Sequence, residues 1–112
     1  MANFYKNAFY DPTVTTAVIV YSCPSNSRAI IQNIQVTNES GSKVLKASIT
    51  DSSAAATYQI AYASISGPTI CNLASGPIIL EESDTLNIAT TNVSYISAVV
   101  SILEINRNDQ NG

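Results

Sequence analysis

The chain has 112 residues and a formal net charge of −3, which leaves room for a single domain with one hydrophobic core. Only 12% of the residues are charged, and the five lysines and arginines are scattered, so we expect no nucleic acid partner. No apolar run reaches the ~20 residues of a membrane span and the N-terminus lacks a signal-peptide pattern, so we expect no membrane association and synthesis in the cytoplasm.

The whole chain is typical of short β-strands separated by turns, because Val, Ile, Thr and Tyr are abundant. Turn signals include Asp11-Pro12, Gly67-Pro68 and Gly76-Pro77. In chain order the predicted strands are 4–9, 13–23, 28–38, 43–51, 57–65, 70–73, 78–80, 85–91 and 95–105. This pattern predicts an all-β fold, with one β-sandwich or jelly-roll-like domain over residues 1–112 and about eight short antiparallel strands. Within it, residues 1–12 are a candidate docking arm and residues 106–112 a polar tail.

Alternation of apolar and polar residues predicts which face of each strand is buried. In strand 28–38, we expect Ile30, Ile34 and Val36 to share one face with Gln32. In strand 43–51, the same pattern places Leu45, Ala47 and Ile49 inward.

The last predicted strand is apolar on both faces. Ile96, Ala98, Val100 and Ile102 line one face, while Val99, Leu103 and Ile105 line the other. One sheet face of a small sandwich should meet water, so the second set needs an explanation. Two interpretations remain open: a loop covers these side chains, or another subunit does.

The N-terminus carries four aromatic residues, Phe4, Tyr5, Phe9 and Tyr10. They fit either a first strand packed on the sandwich or an arm that docks on a neighbour, since aromatic side chains are enriched at interface cores. Together with the last strand they predict a self-association interface, formed by Phe4, Tyr5, Phe9, Tyr10, Val99, Leu103 and Ile105.

Catalytic chemistry has little support in the residue inventory. The chain has no histidine, so a Ser or Cys nucleophile would lack its usual imidazole base. We therefore predict a protein that is not an enzyme, with no cofactor and no bound metal. Cys23 and Cys71 match no zinc motif, and we expect both to be reduced thiols.

An acidic corner is formed by Glu81, Glu82 and Asp84. Clustered carboxylates are ligands that calcium prefers, so a calcium site is one interpretation. We favour a solvated corner, and we therefore expect alanine at any of the three positions to leave folding largely intact.

The order of these segments resembles the small virion structural proteins of tailed bacteriophages, especially phages of marine cyanobacteria. The stretches that carry the resemblance are Val20–Ser25, Ala29–Asn38, Glu39–Ser42, the segment beginning at Ala47, Leu80–Leu86 and Val100–Ile105. Glu82-Ser83 departs from the glycine-containing corner usual in these proteins. The motifs are strands and turns, and they imply no catalytic residue.

The resemblance implies a β-sandwich component of the virion, assembled in the bacterial cytoplasm. It favours a capsid decoration (cement) protein that binds the major capsid protein or another virion protein and associates with itself, as a trimer before a dimer. The alternatives are a neck, tail or fibre-adaptor protein and, more distantly, a carbohydrate-binding or adhesion module.

Overall fold

A computed structural model of the chain describes residues 2–106. Nine strands run through this part: β1 (Ala2–Tyr10), β2 (Val18–Ser22), β3 (Ser27–Asn38), β4 (Ser42–Asp51), β5 (Ala56–Ser66), β6 (Thr69–Asn72), β7 (Ile78–Leu80), β8 (Thr85–Thr90) and β9 (Ile96–Asn106). The described residues contain no helix, and hence none that could span a bilayer. The predicted all-β fold is confirmed. Asn106, the first residue of the predicted polar tail, ends β9, and residues 107–112 lie outside the described residues.

The strands form two antiparallel sheets that pack face to face. The first sheet has the order β1-β9-β3-β6, with β7 also paired to β3, and the second has the order β2-β8-β4-β5. The centre of the core between them is formed by aliphatic side chains that are at most 1% exposed: Ala29, Ile31, Ile34, Val36, Leu45, Ala47, Leu80, Leu86, Ile88, Val100 and Ile102. Burying this set is the main stabilising contribution to the fold.

Strand β3 corrects the predicted alternation. A register irregularity between Ile31 and Asn33 inserts an extra residue opposite β9, so the side chains change face at this point. Ala29 and Ile31 therefore point into the core before the bulge, and Ile34 and Val36 after it. The predicted sharing of one face by Ile30, Ile34 and Val36 is wrong, because Ile30 points outward.

One other strand boundary changes in the structure. The second strand begins at Val18 rather than at residue 13, and residues 13–17 form an exposed loop with no partner strand. The candidate docking arm forms β1, which pairs with β9 from Ala2↔Asn106 to Tyr10↔Ala98. The N-terminal strand is thus a regular member of the first sheet.

A buried polar network joins the two sheets at one end of the sandwich. Glu104 on β9 is 4% exposed, and its carboxylate accepts a hydrogen bond from the Tyr21 hydroxyl on β2 at 2.6 Å. Lys6 on β1 forms an ion pair with the same carboxylate at 3.1 Å. Because the charge of Glu104 is paired, its burial is tolerated. Burial and the Glu104 bond raise the pKa of Tyr21 above its ordinary range.

Tyr10 is a second buried tyrosine, but its hydroxyl has no hydrogen-bond partner among the described residues. Burial raises its pKa from 10.0 to about 12. The unfolded chain loses this proton near pH 10, whereas the folded chain keeps it until about pH 12. The free energy of unfolding should therefore be unaffected by Tyr10 below pH 10 and should fall as the pH rises towards 12.

We expect Tyr10→Phe to reduce this alkaline loss of stability, because phenylalanine has no proton to lose. At neutral pH the change should be neutral or stabilising by up to about 1 kcal/mol, since it removes an unpaired buried hydroxyl. Urea unfolding of both proteins at neutral pH and across the alkaline window measures both effects. If the free energy of unfolding fell equally with pH in the two proteins, Tyr10 would not titrate as described.

Candidate interaction surface

The side of the first sheet that faces away from the core is apolar over much of its width. One row crosses four strands through directly paired residues: Tyr5 on β1 with Leu103 on β9, Leu103 with Ile30 on β3, and Ile30 with Ile79 on β7. Tyr5 is 80% exposed and Ile79 is 64% exposed, while Leu103 and Ile30 between them are partly covered by their neighbours. The row forms a continuous apolar strip open to solvent.

Further apolar residues lie nearer both ends of the sheet, and the polar row Asn7, Ser101 and Asn33 separates those at one end from the strip. Phe9 pairs with Val99 and is 73% exposed, and Ile70 on β6 is 67% exposed. At the opposite end, Ile105 lies between Asn3 and Arg28. We define the outer face as the set Tyr5, Phe9, Ile30, Ile70, Ile79, Val99, Leu103 and Ile105.

Five of the seven residues predicted as an interface lie on the outer face: Tyr5, Phe9, Val99, Leu103 and Ile105. The other two, Phe4 and Tyr10, lie on the opposite side of β1. Phe4 is paired with Glu104 and is 45% exposed, whereas Tyr10 is 2% exposed and belongs to the core. The alternation along β1 separates the two pairs of aromatic residues, because neighbouring side chains point to opposite faces.

Sequence reasoning missed the other three members of the outer face. The sequence pattern predicts Ile30 on the same face as Ile34 and Val36, because the bulge after Ile31 is not visible as a pattern. Ile70 and Ile79 lie in strands of four and three residues, where alternation is too short to separate the faces. Pairing to β3 is what brings them onto the same surface as Tyr5.

Few charges interrupt the outer face. Arg28 lies at its margin and forms an ion pair with Glu82 at 3.6 Å. Lys6 on β1 points to the inner side, where it pairs with Glu104. A nearly neutral sheet surface that carries a strip of exposed apolar side chains is suited to protein contacts, and a soluble monomer rarely exposes a large apolar patch.

The acidic corner differs from the sequence expectation. Asp84 is 5% exposed rather than solvated. Its two carboxylate oxygens accept hydrogen bonds from the backbone N–H groups of Ser52, at 3.1 Å, and Glu81, at 2.9 Å. Through these hydrogen bonds Asp84 connects the turn after β4 to the turn before β8.

A different set of acidic residues comes together at this corner. The carboxylates of Asp51, Glu81 and Asp84 have oxygens within 4.8 Å of one another, while Glu82 is paired with Arg28. Both oxygens of Asp84 are already used by the backbone. No second observation in residues 2–106 points to an ion there, so the structural role is sufficient to account for Asp84.

We expect Asp84→Ala to lower the free energy of unfolding by about 1–3 kcal/mol, because it leaves two backbone N–H groups without their acceptor. Glu81→Ala is the matched control: Glu81 is exposed, and its loss should change stability by no more than about 0.5 kcal/mol. Urea unfolding of the three proteins measures the difference. Equal stabilities would show that the Asp84 hydrogen bonds are replaced by water.

The two cysteines are free thiols in the structure. Cys23 is buried, and burial raises its pKa from 9.0 to about 11, with a further contribution from the nearby Glu104 carboxylate. A thiol with a raised pKa is a poor nucleophile at neutral pH. The local environment of Cys23 therefore fits a core packing role and not a reactive one.

A shallow groove of about 480 Å³ lies at one end of the outer face. Two exposed aromatic residues, Phe9 and Tyr95, line it together with Asp11, Gln35 and Glu39. The groove is open and mixes aromatic and polar groups.

No protein-family model and no curated protein sequence matches this chain. Among solved structures, the Bacillus endospore appendages, which form disulfide-linked pili, align with a TM-score of 0.53 and 9% identity, over 93% of this chain and 88% of that chain. The infectious bursal disease virus Gx strain aligns with a TM-score of 0.53 and 13% identity, over 93% of this chain and 29% of that chain. At these identities the likeness shows a shared fold.

A pentameric capsid protein from metagenomic phage sequences is also similar, with 16% identity over 92% of this chain and 59% of that chain. Its TM-score is 0.40, which is too low for a shared fold to be inferred.

Proposed function

We propose that this chain is a non-enzymatic structural protein of a tailed bacteriophage virion, and that it acts as a capsid decoration protein. The observation that carries the proposal is the outer face, because a small protein that exposes Tyr5, Phe9, Ile70 and Ile79 by 64–80% has a surface suited to permanent contacts. The sequence resemblance to virion proteins supports the setting. The fold, which also occurs in a pilus and in a virus particle, is compatible with it.

The outer face is proposed as the contact between copies of the chain. Closed cyclic symmetry is the usual way for identical chains to bury such a surface, and decoration of a capsid at local symmetry axes favours a trimer. The contact should bury more than about 1,000 Å² in total, as expected of a specific interface. The rest of the surface would then be available to the major capsid protein.

The proposed position on the head is tested by counting copies in purified particles relative to the major shell protein. A decoration protein should be present in hundreds of copies. A dozen copies or fewer would contradict decoration and support a neck, tail or fibre-adaptor position instead. Absence from particles would contradict a virion role.

A carbohydrate-binding or adhesion module is the second candidate, and the groove favours it. Stacking of sugar rings needs exposed aromatic side chains, which Phe9 and Tyr95 supply, and polar partners, which Asp11 and Gln35 supply. This function would be recognised by glycan binding that is lost in Tyr95→Ala and retained in Leu103→Asp. The proposed structural role predicts no glycan binding by either protein.

A further inference from the structure

Strand β5 is a long edge strand without charges. It runs from Ala56 to Ser66, contains no charged residue, no proline and no glycine, and pairs only with β4 among the described residues. Its other side therefore presents a row of backbone N–H and C=O groups to solvent. Such an edge is a template for pairing with another strand unless something blocks it.

The other edge strands of the sandwich are protected from pairing with a further strand. β2 has five residues and a register irregularity, and β6 and β7 have only four and three residues. β1 is longer but carries Lys6, which points inward to Glu104, and an inward-pointing charge on an edge strand opposes strand addition. In β5 the only interruption is a register irregularity near Ile60, after which Ala61–Ser66 pairs regularly with β4.

We propose that the free edge of Ala61–Ser66 pairs with the same edge of a second copy, antiparallel about a two-fold axis. Antiparallel pairing of one strand with itself is self-complementary, so no other sequence is needed. No charge on β5 opposes its own copy. In a register centred on Ser64, opposite residues point to the same face: Tyr62, Ser64 and Ser66 lie on the exposed side, and Ala63 and Ile65 lie on the core side.

The two-fold contact uses a different sheet from the outer face and goes beyond the proposed function. A strand pair of about five residues is a small contact, so it should be weak between free molecules and effective where copies are concentrated. If the outer face joins three copies and β5 joins two, the two contacts together connect copies into a continuous net.

The experiment isolates the β5 contact by disabling the outer face with Leu103→Asp. Two second substitutions are then made in the Leu103→Asp protein. Ser64→Lys adds a charge to the exposed edge strand, and Ser64→Thr is a matched uncharged control that favours strand structure. Ser64 is exposed, so neither change should affect folding, and circular dichroism checks this. Sedimentation velocity is measured up to about 1 mM, the affinity range of a weak contact.

The expected result is a concentration-dependent dimer for Leu103→Asp and for its Ser64→Thr derivative, with no dimer for the Ser64→Lys derivative. A Leu103→Asp protein that stays monomeric at the highest concentration would overturn the proposal. So would a dimer that survives Ser64→Lys. Failure of the outer-face contact is distinguishable, since it would appear as a failure of Leu103→Asp to change the association of the wild-type chain.

Discussion

Replacing Leu103 with aspartate is expected to convert the associated protein to monomers at tens of micromolar. Leu103 lies at the centre of the apolar row, between Tyr5 and Ile30. In the proposed contact an aspartate there would be buried without a partner, which costs several kcal/mol. Since about 1.4 kcal/mol is a tenfold change in affinity, association should weaken by at least about a hundredfold. Sedimentation velocity measures the loss.

Ile19→Asp is the matched control for this substitution. Ile19 is 65% exposed and lies on the second sheet, so the same chemical change is made away from the outer face. We expect it to leave association unchanged. Tyr5→Asp, at an 80% exposed position, repeats the test where folding is least affected. If Leu103→Asp and Tyr5→Asp both associated as strongly as the wild type, the outer face would not be the contact.

Replacing Gly67 with alanine is expected to lower the free energy of unfolding by about 1–3 kcal/mol, as overpacking does. A Cβ atom at Gly67 would lie 2.6 Å from the backbone nitrogen of Ser40 and 2.8 Å from its Cα atom. The backbone of the β3–β4 hairpin would have to move, which also strains the hydrogen bond that the Gly67 N–H donates to the Gly41 carbonyl at 2.9 Å. Urea unfolding measures the change.

Gly76 provides the control, because a Cβ atom there would meet nothing within 4 Å. Gly76→Ala should be within about 0.5 kcal/mol of the wild type. The two substitutions are chemically identical, and each glycine precedes a proline. Equal effects at both positions would contradict the close approach of Gly67 to the hairpin.

The fold was predictable where alternation runs uninterrupted over a long strand. β9 and β4 show this: Ile96, Ala98, Val100 and Ile102 are buried as expected, and so are Leu45 and Ala47. β3 shows the limit, because the bulge after Ile31 reverses the face of every side chain before it, including Ile30. A bulge is set by pairing with another strand, and a local pattern does not contain that information.

The candidate surface was predictable in part for the same reason. β9 shows its second apolar set, Val99, Leu103 and Ile105, directly in the sequence, and β1 pairs alongside it. The contribution of Ile79 depends on which strands are neighbours, and this emerges only from the topology. The burial of Asp84 was not predictable from the sequence. The two N–H groups that its carboxylate accepts from, those of Ser52 and Glu81, come from two separate turns.

The molar mass of the purified protein tests most directly whether the outer face joins copies of this chain. Sedimentation equilibrium at tens of micromolar should give three times the 11.9 kDa of the chain, and Leu103→Asp should return the mass to that of one chain. A wild-type protein that sediments at 11.9 kDa under these conditions would contradict the account.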